Sequence, residues 1–119
     1  MIDPRALERL METLGGDPAD LADIIESFLE EGPTLLASMQ QAIAAGDGGM
    51  LKRAAHSLKS NARDLGAEKL ASMCQAVESG IKQGDDGQEH VAAVAAILVE
   101  WEGVAPALVG EMKRLGRSA

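Results

Sequence analysis

Residues 51–65 read Leu51-Lys52-Arg53-Ala54-Ala55-His56-Ser57-Leu58-Lys59-Ser60-Asn61-Ala62-Arg63-Asp64-Leu65. The apolar members Leu51, Ala55, Leu58, Ala62 and Leu65 recur at spacings of 4, 3, 4 and 3. That is the period of an α-helix burying one face. Asp47 is placed to open the helix and Gly66 to close it, as a left-handed C-terminal residue. His56 lies one residue past Ala55, a rotation of ~100°. It therefore leaves the apolar stripe and joins a polar one: Lys52, His56, Lys59/Ser60 and Arg63. The imidazole is expected to face solvent, ringed by cations that favour its neutral, nucleophilic form and attract a phosphoryl group.

Working outward, the same period continues in both directions. Asp3-Pro4 reads as an N-cap followed by proline at the first helical position, with Leu7, Leu10 and Leu14 behind it. Gly15-Gly16 stops that short helix and Asp17-Pro18 starts another. The second apolar series is Leu21, Ile25, Phe28, Leu36, Met39, Ile43, with a kink or short break expected at Gly32-Pro33. A fourth helix carries Leu70, Met73, Cys74, Val77 and Ile81, then Gly84–Gly87 forms a polar loop. The last series runs Val91, Val94, Leu98, Trp101, Ala105, Leu108, Met112, Leu115, with a bend expected at Pro106. With no Tyr, one Phe and one Trp, and few β-branched residues, the chain lacks the usual material of strands. The expected fold is all-α: one domain over 1–119, an up-down antiparallel four-helix bundle with a short additional N-terminal helix.

Composition narrows the function classes. The chain has 119 residues and a net charge of -8, which argues against a nucleic-acid partner. Residues 1–47 hold ten acids and two bases, whereas 48–119 hold nine of each. Gly48 to Arg63 contains Lys52, Arg53, Lys59 and Arg63 and no acid. No run of ~18 apolar residues marks a membrane span, and no signal peptide is visible, so a reducing cytoplasm is the expected address. One cysteine and two distant histidines, His56 and His90, do not make a metal site. Gly46-Asp47-Gly48-Gly49 lacks the Lys-Ser/Thr pair of a phosphate loop. Cys74, on an apolar face, reads as a small core residue.

Hairpin geometry adds one candidate. Helices three and four turn at about Gly66-Ala67, so positions equidistant from that turn stand level. His56 is ten residues before Gly66 and Glu78 twelve after it. Glu78 is thus expected to reach the imidazole, hold a proton on Nδ1 and leave Nε2 as the free lone pair.

Taken together, His56-Ser57-Leu58-Lys59, Leu65-Gly66-Ala67, Leu70-Ala71, Cys74 and Glu78 resemble the signature of bacterial histidine-containing phosphotransfer (HPt) domains. Ile2-Asp3-Pro4, Leu14-Gly15-Gly16-Asp17, Ile25-Glu26-Ser27-Phe28-Leu29 and Ala44-Ala45-Gly46-Asp47 are similar to that family's first half. The resemblance implies a four-helix bundle that carries one exposed histidine, phosphorylated on Nε2, and relays the phosphoryl group between receiver-domain aspartates. It assigns phosphoryl charge neutralisation to Lys59 and the imidazole hydrogen bond to Glu78. Its implied partners are response-regulator receivers and a hybrid sensor histidine kinase. No cofactor belongs to this chain; Mg²⁺ is expected in the receiver. Lys52, Ser60 and Arg63, with Leu21 and Ile25 from the second helix, are expected to form the docking surface of a monomer. Ser60 departs from the glycine usual after that lysine, which keeps open an alternative: a scaffold of the same fold that binds or sequesters a receiver without transferring phosphate. The opening Met1 suits a free-standing protein, although a domain cut from a larger kinase could begin the same way.

Overall fold

The computed structural model describes residues 2–117; Met1, Ser118 and Ala119 of the expected domain lie outside them. Five α-helices follow in order: α1 (Pro4–Thr13), α2 (Pro18–Ala45), α3 (Gly48–Asp64), α4 (Glu68–Gly80) and α5 (Val91–Arg114), with no strand among the described residues. A single 3-10 turn, Gln88–His90, leads into α5. The helices start where their caps sit. Asp3 accepts from the Arg5 amide, Asp17 from Ala19 and Asp47 from Met50, each satisfying a donor that the first helical turn leaves open.

Helices α2 to α5 close a ring, α2 packing on α3 and α5, and α4 on the same two; α1 lies across α2 and α3. The 28 residues of α2 amount to ~42 Å of helix, almost the whole 44 Å long axis of the molecule. The core is apolar throughout, and no polar or charged residue is buried among those described.

Of the kink or short break expected at Gly32-Pro33, the break is absent: α2 is one continuous helix through it. Pro33 is exposed, so its ring meets water and only one backbone hydrogen bond is given up. Gly32 is buried because the Trp101 ring lies on it; a Cβ there would collide with that ring. Trp101 in turn meets Phe28 edge-on at 5.2 Å and 61°, joining α2 to α5. Pro106 likewise sits on an exposed position inside an unbroken α5. That helix is long and apolar enough to cross a membrane by composition. Its inner face, Val94, Ile97, Val104, Leu108 and Met112, is nevertheless the fourth wall of the core. Val91, counted in the apolar series, is 49% exposed at the helix start.

The α3–α4 turn sets the register of the site. Gly66 has φ +80°, and Ala67 donates back to Ala62 O at 2.8 Å. Asp3 N donates to Gly66 O at 2.9 Å, so α1 begins on this turn, and a Cβ on Gly66 would meet Asp3 O at 2.7 Å. Both conformation and space demand glycine there.

Candidate functional site

His56 stands at the middle of α3 on the side turned away from Leu51, Ala55, Leu58 and Ala62, all four fully buried. Its side chain is 59% exposed. Nδ1 lies 2.8 Å from Glu78 Oε2, and Nε2 has no hydrogen bond among the described residues. A carboxylate beside Nδ1 accepts a proton held there, which leaves Nε2 with the lone pair.

Glu78 divides its carboxylate between two partners. Its second oxygen, Oε1, accepts from Lys59 Nζ at 2.5 Å. Lys59 also donates to Gln75 Oε1 at 3.1 Å, and Gln75 Nε2 donates to Ser79 Oγ at 2.5 Å. The result is a continuous chain, Ser79–Gln75–Lys59–Glu78–His56, crossing from α4 to α3, back to α4 and again to α3. The Lys59 hydrogen bond, foremost, and that of His56 hold the Glu78 carboxyl below the usual carboxylate range, against the opposing effect of burial. Behind the site, Cys74 is fully buried. Burial first, and the Glu78 charge second, push its thiol up to about 12, so it is protonated and unreactive.

Several expected site residues lie elsewhere than the sequence pattern implied. Lys59 is not on an open basic stripe: its side chain is only 12% exposed and paired with Glu78. Its position on α3, three residues past His56, turns it towards α4 rather than outward. Leu21 and Ile25 are 2% and 0% exposed; they are core, and neither can touch a docked protein. Helix α2 offers Ile24 instead, one residue round the helix. Lys52, Ser60 and Arg63 are exposed as expected. Arg5, Arg114 and Arg117 are ion-paired with carboxylates. Lys52, Arg53, Arg63 and Arg9 make no such pair among the described residues.

Two shallow depressions line the α2–α3 groove. Ile24, Ser27, Phe28, Asn61, Asp64 and Leu65 surround one of about 130 Å³. Leu35, Ser38, Met50, Arg53, Ala54 and Ser57 surround the other, of about 240 Å³. Gln75 and Ser79 were not singled out by the sequence. The available signal was spacing: with Glu78 they occupy i, i+3 and i+4, one face of α4. Among the described residues no three His, Cys, Asp or Glu side chains converge as metal ligands would.

The family model for the Hpt domain matches residues 23–115. The crystal structure of histidine-containing phosphotransfer protein B (HptB) from Pseudomonas aeruginosa PAO1 is similar, with 26% sequence identity, 95% of each chain covered and a TM-score of 0.83. No curated protein sequence matches.

Proposed function

The chain belongs to the Hpt domain family, and from that premise we propose that it relays a phosphoryl group between receiver-domain aspartates through a phosphohistidine on His56. One observation carries this reading: an exposed imidazole with Nδ1 at 2.8 Å from a carboxylate and Nε2 free.

The chemistry follows from that hydrogen bond. With the proton on Nδ1, the Nε2 lone pair attacks the phosphorus of an aspartyl phosphate in line with the leaving oxygen. The N–P bond forms as the P–O bond breaks, and the aspartate departs as carboxylate with the electron pair. The ring gains a positive charge, which Glu78 meets through Nδ1–H. Transfer to a second receiver runs the same steps in reverse. Lys59 has three N–H donors, of which Glu78 and Gln75 take two; the third is assigned to the phosphoryl oxygens. Mg²⁺ is expected to arrive with the receiver, which supplies the metal-bound half of the site.

Docking is assigned to the face around His56. Lys52, Ser60 and Arg63 flank it, and the two depressions of the α2–α3 groove adjoin it. Unpaired cations there suit the acidic mouth of a receiver, whereas the first 47 residues, with ten acids against two bases, repel it elsewhere. The partners are receiver domains and a hybrid sensor histidine kinase, met by a cytoplasmic monomer that contacts neither nucleic acid nor membrane.

The test is incubation with phosphorylated receiver domains. Acid-labile, base-stable label is expected on the protein and absent from His56→Gln. Label persisting in His56→Gln overturns the site. Receivers that bind but never transfer overturn the relay in favour of the scaffold, for which Ser60 beside the imidazole is the motivating feature.

A further inference from the structure

Resting on the phosphotransfer reading, we propose that Gln75 is a positioning residue: it holds Lys59 against Glu78 and thereby keeps the His56 proton on Nδ1.

Lys59 is on α3, and Gln75 and Glu78 are one turn apart on α4. The ammonium sits between Gln75 Oε1 at 3.1 Å and Glu78 Oε1 at 2.5 Å. Gln75 is itself oriented. Its amide nitrogen donates to Ser79 Oγ, so the amide oxygen is the end that faces the lysine. Reversing the amide would point N–H at an ammonium that has only donors.

Lys59 is 12% and Glu78 17% exposed, so neither is freely solvated. Glu78 has several rotatable bonds and two oxygens, and His56 alone would not fix which oxygen it meets. With Oε1 pinned by Lys59, Oε2 is left aimed at Nδ1. The lysine also balances the Glu78 charge. Remove the Gln75 acceptor and one of the two tethers on Lys59 goes; the ammonium follows water, Glu78 follows the ammonium, and the imidazole loses its acceptor. An unrestrained histidine carries its proton mainly on Nε2, the atom that must attack.

Two readouts test this without a receiver. Nitrogen-15 NMR of the imidazole, above its titration range, reports the tautomer; potassium phosphoramidate, a small phosphodonor for histidine, reports the rate of labelling. Gln75→Leu is expected to lower the Nδ1–H population and slow labelling by about 10-fold, the usual scale for loss of a supporting hydrogen bond. Gln75→Glu, which still offers an oxygen to Lys59, is expected to restore most of both. Ser79→Ala, which frees the amide to rotate, is expected to show a smaller loss of the same kind. Gln75 is half-buried, and an unchanged circular dichroism spectrum checks that each variant is folded. An unchanged tautomer in Gln75→Leu overturns the proposal, as does a slow Gln75→Glu that resembles Gln75→Leu. If His56 labels equally fast in every variant, positioning fails and the phosphotransfer reading stands. If wild type takes no label from any donor while the tautomer responds to Gln75, the phosphotransfer reading fails and the positioning stands.

Discussion

Replacing Gly66 with alanine tests whether the α3–α4 turn demands glycine for both its conformation and its space. Gly66 has φ +80°, a conformation that costs an L-residue about 1–2 kcal/mol. The added Cβ would also stand 2.7 Å from Asp3 O and 3.0 Å from Asp3 N, and so displaces the Asp3 N–H···O hydrogen bond to Gly66. That bond contributes about 1 kcal/mol, giving a total loss near 2–3 kcal/mol. For 119 residues the entropy of unfolding is about 0.25 kcal/mol per degree, so the melting temperature should fall by about 8–12 °C. Gly66→Asn separates the two causes. Asparagine tolerates the left-handed region but still meets Asp3, so it should recover only the conformational share, roughly 1 kcal/mol. Thermal unfolding followed by circular dichroism measures both variants. Phosphoramidate labelling of His56, well below the melting temperature, should stay within ~3-fold of wild type, because Ser57 to Asp64 remains helix packed on α4. A Gly66→Ala protein that melts within 2 °C of wild type would refute the steric argument. One that stays folded and stable but loses labelling would show that the turn acts on the site directly.

Other outcomes follow from burial and charge. Because hydrogen bonding holds the folded Glu78 carboxyl below the ordinary carboxylate range, the stability it lends is present above that range and disappears as pH falls through the lowered value; melting temperatures of wild type and Glu78→Leu should therefore converge in acid. Ile25→Ala should cost about 2–5 kcal/mol without changing receiver affinity in the folded protein, whereas Arg63→Ala should weaken receiver binding with little effect on melting; isothermal titration and denaturant curves check the pair. The Cys74 thiol, buried and pushed up to about 12, should resist iodoacetamide in the native state and label only on unfolding.

The sequence disclosed what depends on periodicity and hid what depends on a few degrees of rotation. Caps at Asp3, Asp17 and Asp47 and the glycine turn at Gly66 are local signals, and the starts of α1 to α4 match them, whereas α5 begins without a side-chain cap. The His56–Glu78 pairing was legible because a short, fixed turn makes residue counting equivalent to measuring height. Counting says nothing about which way a side chain at the seam of two helices will turn. Lys59 lies at such a seam. As one member of a basic stripe it reads as exposed, but the partner that draws it inward, Glu78, is nineteen residues away on α4. Leu21 and Ile25 are the opposite case: their spacing with Phe28 is that of the core, and both are buried although α2 borders the face around His56. Gly32-Pro33 looks like a breaker only until Trp101 is seen to need the space.

The inward turn of Lys59 bears on the mechanism. The seam between α3 and α4 leaves Lys59 only 12% exposed beside an apolar core, where an unpaired ammonium would be costly, and Glu78 and Gln75 meet it there. The same pairing uses one oxygen of Glu78 and leaves the other for His56. Satisfying a lysine at a helix seam and orienting a nucleophilic imidazole are therefore one structural solution. A substitution that relieves Lys59 of its partners should change the histidine even where it never touches the ring.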